Sequence, residues 1–153
     1  MSADSSPEKE RPNIVSSRPI TYQIGDSCFA VQEHVEDGVA STALKLFQGA
    51  REPHTFIHAD GALMAISVEP LPDHGGVYIG ILTYLGDTQY LATLAIEDHD
   101  GLTHQRVELE FDAHANDDLA LRYDHQRNVL FVTSHHSDGT LARVDNIIKG
   151  KAA

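Results

Sequence analysis

The stretch Gly76-Val-Tyr-Ile-Gly-Ile-Leu-Thr-Tyr-Leu85 decides the fold class. Read with a period of two, it sets Val77, Ile79 and Ile81 on one face and Tyr78, Leu82 and Tyr84 on the other. Both faces are apolar, so this strand belongs at the centre of the molecule, covered on each side. Gly80 has no Cβ and would admit a neighbouring backbone or aromatic ring close to the strand. Gly86-Asp87 then supplies turn residues, and Gln89-Tyr-Leu-Ala-Thr-Leu-Ala-Ile96 forms the second arm of a hairpin. Beyond it, His104-Gln-Arg-Val-Glu-Leu-Glu-Phe111 alternates strictly. Val107, Leu109 and Phe111 share one face while Arg106, Glu108 and Glu110 share the other, the pattern of a half-buried strand.

Outward from this core the pattern continues. Strands are expected over Ile20–Ile24, Cys28–His34, Ala40–Phe47, Thr55–His58, Ala62–Glu69, Leu119–Tyr123, Val129–Ser134 and Thr140–Asp145. One turn of helix is an alternative for residues 43–47. Asp26-Ser27, Asp37-Gly38, Asp60-Gly61, Asp100-Gly101 and Asp138-Gly139 fall between apolar runs, where such residues tolerate the backbone angles of turns. Residues 1–18, rich in Ser, Pro and charge without a hydrophobic period, read as a disordered tail. Residues 19–148 read as one all-β domain and residues 149–153 as a loose C-terminus. The domain is expected to hold about ten short antiparallel strands, arranged as propeller-like blades or as a β-sandwich. An echo between Phe56–Ile66 and Leu121–Thr133, each a strand, an Asp-containing turn and a strand, resembles the blades of a β-propeller. A closed propeller needs at least about four blades, and a chain of 153 residues has room for fewer.

The formal charge is −12 and its distribution is uneven. Between Glu52 and Leu121 stand 13 acids and a single base, Arg106. A surface of that sign repels phosphate backbones, which argues against nucleic acid as a partner. It attracts basic proteins and cations, less strongly at high salt. Ten histidines add a second bias: protonating all of them would bring the net charge to −2. No apolar run reaches the ~18 residues that a membrane-spanning helix needs, so no membrane partner is expected. The first residues lack the apolar core of a secretory signal. The expected compartment is therefore cytoplasmic, or periplasmic if a signal peptide has been removed. Cys28 is the only cysteine and cannot form an internal disulfide. Its setting in Ser27-Cys-Phe-Ala-Val31 suits a small buried hydrophobe better than a nucleophile.

Motifs that carry chemistry are scarce. His54 and His58 share a face, but on a strand they lie about 13 Å apart, too far for one ion. Asp112, His114, Asp117 and Asp118 form a compact acidic loop without the spacing of a calcium loop or a zinc protease, and no metal is assigned there. Asp98-His99-Asp100 reads as a polar hairpin turn. His135-His136-Ser137-Asp138 holds the residue types of a catalytic triad, but no Gly-x-Ser-x-Gly elbow supports one. Neither a P-loop nor a dinucleotide fingerprint is present, and no cofactor is expected. Tyr78, Leu82 and Tyr84 could line a cavity, but their pattern fits core.

The expectation that follows is a small acidic protein-binding module. It would act as an inhibitor or immunity-type partner that neutralises a basic enzyme or toxin by direct contact. Acidic fields of this kind raise the association rate with basic partners. The contact residues expected are Asp98, His99, Asp100, Asp112, His114, Asp117 and Asp118. The alternative is a small enzyme using His99, His114, His135 or His136 with a carboxylate as general acid and base, or with the help of a metal.

Overall fold

A computed structural model describes residues 14–24, 27–47, 54–71, 76–98, 101–113, 118–134 and 139–148. Over these the chain is all-β, with every strand pair antiparallel. The first sheet contains β1 (Ile14–Ser16), β2 (Ile20–Ile24), β3 (Ser27–Glu36), β4 (Val39–Phe47) and β5 (His54–Asp60). The second contains β6 (Ala62–Pro70), β7 (Val77–Gly86), β8 (Gln89–Asp98) and β9 (Gly101–Glu110). The third contains β10 (Leu119–Asp124), β11 (Val129–Ser134) and β12 (Thr140–Asp145). Each sheet is a meander of successive strands, except that β1 and β2 follow one another along the same edge of β3. Residues 43–47 are strand, because Leu44 and Leu46 point into the core while Lys45 lies on the opposite face.

The second sheet is the middle layer. Val77, Ile79 and Ile81 of β7 join Phe29, Val31, Leu44 and Ile57 of the first sheet in one apolar cluster. Tyr78 and Leu82, on the other face of β7, join Leu121, Tyr123, Leu130 and Val132 of the third sheet in another. Burying both faces of one strand is what its continuous apolar run required. Each fully buried Leu, Ile or Phe stabilises the fold by roughly 1.5–3 kcal/mol relative to exposure. Gly80 admits a close neighbour, as expected of it, but the neighbour is a leucine. A Cβ there would lie 2.7 Å from Cδ2 of Leu121.

One strand lies where a disordered tail was expected. The tail reading of residues 1–18 gives way at β1, which pairs Ile14, Val15 and Ser16 with Glu36, Val35 and His34. Its fastening is side-chain chemistry more than apolar burial, since Val15 remains 62% exposed. The Ser16 hydroxyl lies 2.7 Å from Nδ1 of His34, and the Gln32 amide donates to the Ser17 carbonyl at 2.8 Å. The Ser17 hydroxyl also accepts from the Glu33 amide at 3.0 Å. A three-residue strand held by polar contacts has no hydrophobic period for the sequence to display. Residues 1–13 and 149–153 lie outside the described residues.

The resemblance between Phe56–Ile66 and Leu121–Thr133 is not a structural repeat. Residues 121–133 form a hairpin within the third sheet, with Tyr123 paired to Leu130. Residues 56–66 instead cross from the first sheet to the second at Gly61, which holds φ at +105°. The Gly61 amide donates to the Ala40 carbonyl at 3.0 Å, and the Thr42 hydroxyl donates to the Gly61 carbonyl at 3.2 Å. From the second sheet, the Thr83 hydroxyl donates to the Asp60 carbonyl at 2.6 Å. Just beyond, a register irregularity between Leu63 and Ala65 accompanies a bond from the Leu63 amide to the Glu33 carboxylate at 2.6 Å. At the far side of the second sheet, the Arg106 guanidinium donates to the His58 carbonyl at 2.7 Å and ties β9 to β5.

Candidate functional site

Of the seven residues expected to contact a partner, the structure describes Asp98, Asp112 and Asp118. Asp98 closes β8, and Asp112 and Asp118 are exposed beyond the other end of β9. His99, Asp100, His114 and Asp117 lie outside the described residues. Asp98 and Asp112 are separated by the length of β9, about 30 Å for a ten-residue strand. What lies between them is β9 itself.

Among the described residues, β9 is hydrogen-bonded to β8 alone, so its other edge is free. The Phe111 amide donates to the Thr88 carbonyl at 3.0 Å, which fixes the phase of the ladder. Antiparallel pairs alternate between bonded and non-bonded, so odd-numbered residues of β9 bond to β8. The backbone groups of His104, Arg106, Glu108 and Glu110 therefore face the open edge. Their side chains are exposed, whereas Val107 and Leu109 on the opposite face are half-buried against the second apolar cluster. Acidic side chains on an edge strand discourage two copies from pairing through it.

A second feature was not anticipated. A cleft of about 540 Å³ opens between the end of β6 and the third sheet, lined by Glu69, Pro70, Leu71 and Tyr78 on one side. Arg122, Tyr123, Asp124, His125, Arg127, Phe131 and Thr140 are among the residues on the other. Tyr78 and Tyr123 meet edge to face at 5.4 Å across its floor. The Tyr78 hydroxyl donates to the Glu69 carboxylate at 3.0 Å and lies 3.1 Å from the Ser67 hydroxyl. The Tyr123 hydroxyl donates to Oδ1 of Asn128 at 3.0 Å. Asn128 sits at φ +56° in the β10–β11 turn, where asparagine tolerates the left-handed region. Its amide group bonds Ile148 in both directions, Nδ2 to the carbonyl at 3.0 Å and Oδ1 from the amide at 3.1 Å. Asp124 opens the same turn, accepting the Gln126 amide at 3.1 Å and the Arg127 amide at 3.2 Å. Tyr78 was assigned to core by its pattern. It is core, and its hydroxyl also reaches the cleft wall.

Burial makes both tyrosines harder to ionise. Desolvation, and secondarily the Asp124 charge, push Tyr123 up to about 12, and desolvation likewise raises Tyr78. The raised value means that the fold favours the neutral phenol. The stabilisation from Tyr123 is therefore complete below the ordinary tyrosine value near 10 and is lost as pH rises through about 12. Alkaline titration followed by tyrosinate absorbance is expected to show a late component that merges with unfolding. In Tyr123→Phe that component is expected to shrink by one tyrosine, with Tyr78 still contributing to it. A titration in which all five tyrosines ionise together near 10 before any unfolding contradicts the assignment.

The residues proposed for acid–base chemistry, His99, His114, His135 and His136, lie outside the described residues, as do Ser137 and Asp138. No group of three or more His, Cys, Asp or Glu side chains positioned to hold a metal occurs among the described residues. Cys28 is half-buried and unpaired as a thiol. No helix among the described residues is long and apolar enough to cross a membrane.

The class that these features define is an all-β protein of three layered antiparallel meanders, with a free acidic edge strand and a polar cleft. Known proteins add nothing to that description: no protein-family model, curated protein or solved structure gives a significant match to the chain.

Proposed function

We propose that this chain is a protein-binding module that captures a basic partner by strand addition at the open edge of β9. It would act as an inhibitor or immunity-type partner of a basic enzyme or toxin. The observation that carries the reading is the free edge of β9, with outward backbone groups at residues 104, 106, 108 and 110 and exposed Glu108 and Glu110 beside them. Main-chain bonds along such an edge supply affinity, and alternate side chains supply specificity. The complementary strand alternates basic and apolar residues. Its basic side chains meet Glu108 and Glu110, and its apolar ones extend the half-buried surface of Val107 and Leu109. The charge of −12 adds long-range attraction for a basic partner.

The test uses a synthetic peptide alternating Lys and Val, with amide exchange measured along β9. At low salt the peptide is expected to protect the amides of His104, Arg106, Glu108 and Glu110. Raising the salt to about 0.5 M weakens binding about tenfold or more as the charges are screened. Glu108→Pro removes one outward amide without touching the β8 ladder, so the fold persists while binding is lost. Glu108→Thr keeps the amide and loses only the charge, and weakens binding a few-fold. Equal binding by Glu108→Pro and the wild type would sink strand addition.

A further inference from the structure

We infer that the strand added at β9 runs antiparallel to it and carries basic, basic and acidic residues in that order on one face, with Arg106 setting its register. The inference rests on strand addition at this edge and adds the order of charges that the partner carries.

The row along the open edge is not uniformly acidic. In chain order its residues are His104, Arg106, Glu108 and Glu110, and all four are exposed. The phase set by the Phe111 amide turns the backbone groups of the same four residues outward. In an antiparallel pair each outward residue bonds the residue directly across from it, and the two side chains stand on one face. The added strand therefore meets Glu110, Glu108, Arg106 and His104 in that order, one with every second residue. Opposite charges directly across a ladder stabilise it, and like charges destabilise it. Lysines at the first and third positions of the strand answer Glu110 and Glu108. A lysine at the fifth would stand against Arg106, whereas a glutamate there completes the match.

Arg106 can take this role because its charge is not matched elsewhere. It is the single base between Glu52 and Leu121, yet no ion pair among the described side chains includes it. Its guanidinium donates instead to a neutral group, the His58 carbonyl, through Nη2 at 2.7 Å. That bond anchors the side chain and leaves its other N–H donors for a carboxylate. An anchored guanidinium loses little further freedom when a carboxylate joins it. The opposite face sets no register, since Val107 and Leu109 accept apolar residues alike. A uniformly basic strand gains more from the long-range field of a chain of charge −12. At physiological salt that field is screened beyond about 8 Å, so the contacts across the ladder decide.

The experiment titrates the full chain, by nuclear magnetic resonance at about 0.15 M salt, with three end-blocked peptides. Lys-Val-Lys-Val-Glu-Val-Lys carries the matched order. Lys-Val-Lys-Val-Lys-Val-Lys replaces its glutamate by lysine, and Lys-Val-Glu-Val-Lys-Val-Lys has the same composition in reverse order. The matched peptide is expected to bind about three- to tenfold more tightly than either of the others. A nitroxide at its N-terminus is expected to broaden the amide resonance of Glu110 more than that of His104. Arg106→Gln removes the preference for glutamate over lysine, and Arg106→Lys retains it. Arg106 is exposed, so both variants are expected to fold. If the all-lysine or the reversed peptide binds β9 as tightly as the matched one, or if Arg106→Gln keeps the preference, the register is overturned while strand addition stands. If no peptide protects the amides of His104, Arg106, Glu108 and Glu110, strand addition itself fails and the register with it.

Discussion

Gly61→Ala is expected to destabilise the fold by about 3 kcal/mol or more, a large share of the ~5–15 kcal/mol that holds a typical domain together. Two independent costs combine. The backbone holds φ at +105°, which residues with a Cβ rarely adopt. The added Cβ would also lie 2.6 Å from the Tyr84 carbonyl oxygen and 3.0 Å from Cβ of Thr83. Those atoms belong to β7, so relief requires the first and second sheets to part at the corner that joins them. Gly38 separates the two costs. It holds φ at +82° in the β3–β4 turn, but nothing lies within 4 Å of the place its Cβ would take. Gly38→Ala is expected to cost about 1 kcal/mol, the conformational term alone. Urea unfolding followed by tyrosine fluorescence measures both, since the chain has five tyrosines and no tryptophan. If the two variants lose the same stability, the packed corner at Gly61 is wrong.

The contact between Gly80 and Leu121 is expected to show the second large effect, as a coupling. Leu121 is 3% exposed and rests on the second sheet where Gly80 leaves no side chain. Leu121→Ala empties that space and is expected to cost about 2–5 kcal/mol. Gly80→Ala overfills it, with a Cβ 2.7 Å from Cδ2 of Leu121, and is expected to cost about 1–3 kcal/mol. In the double variant the new methyl group occupies part of the volume that the leucine vacated. Its loss is therefore expected to fall short of the sum by about 1 kcal/mol or more. Strict additivity in urea unfolding would mean that the two residues do not meet.

Both predictions concern contacts between sheets, and the sequence shows why these were the hard part. The core of the second sheet was legible because a period of two survives in Val77–Tyr84 and Val107–Phe111, where local alternation and burial coincide. The Asp37-Gly38 turn was legible for a similar local reason: both residues take positive φ, +52° and +82°, which their composition permits. Asp60-Gly61 carries the same composition and was read as the same kind of turn. Nothing local distinguishes a hairpin from a corner between sheets. That difference comes from Ala40, Thr42 and Thr83, which hold the backbone of residues 60 and 61 from two directions.

The candidate sites divide in the same way. The acidic row of β9 was visible as Glu108 and Glu110 alternating with Val107 and Leu109. The placement of Asp98 and Asp112 beyond opposite ends of a strand was visible too, since residues 104–111 read as a strand between them. The cleft was invisible at that level, since Tyr78 of the second sheet meets Tyr123 of the third only when the two sheets pack. Asp124 and Asn128 offered a partial signal, two turn-forming residues bracketing a strand connection, but no spacing announces what a turn will face.

Taken by itself, then, the sequence determined the all-β class, most of the strand positions, the doubly buried central strand and the acidic bias. All of these follow from side-chain alternation and charge within a few residues. Tertiary structure alone decided that the strands form three layers, that residues 14–16 join the first sheet, that the chain changes sheets at Gly61, and that a cleft opens beside Tyr78. The physical reason is that layer order and clefts depend on which buried faces meet, and those contacts join residues far apart in the chain.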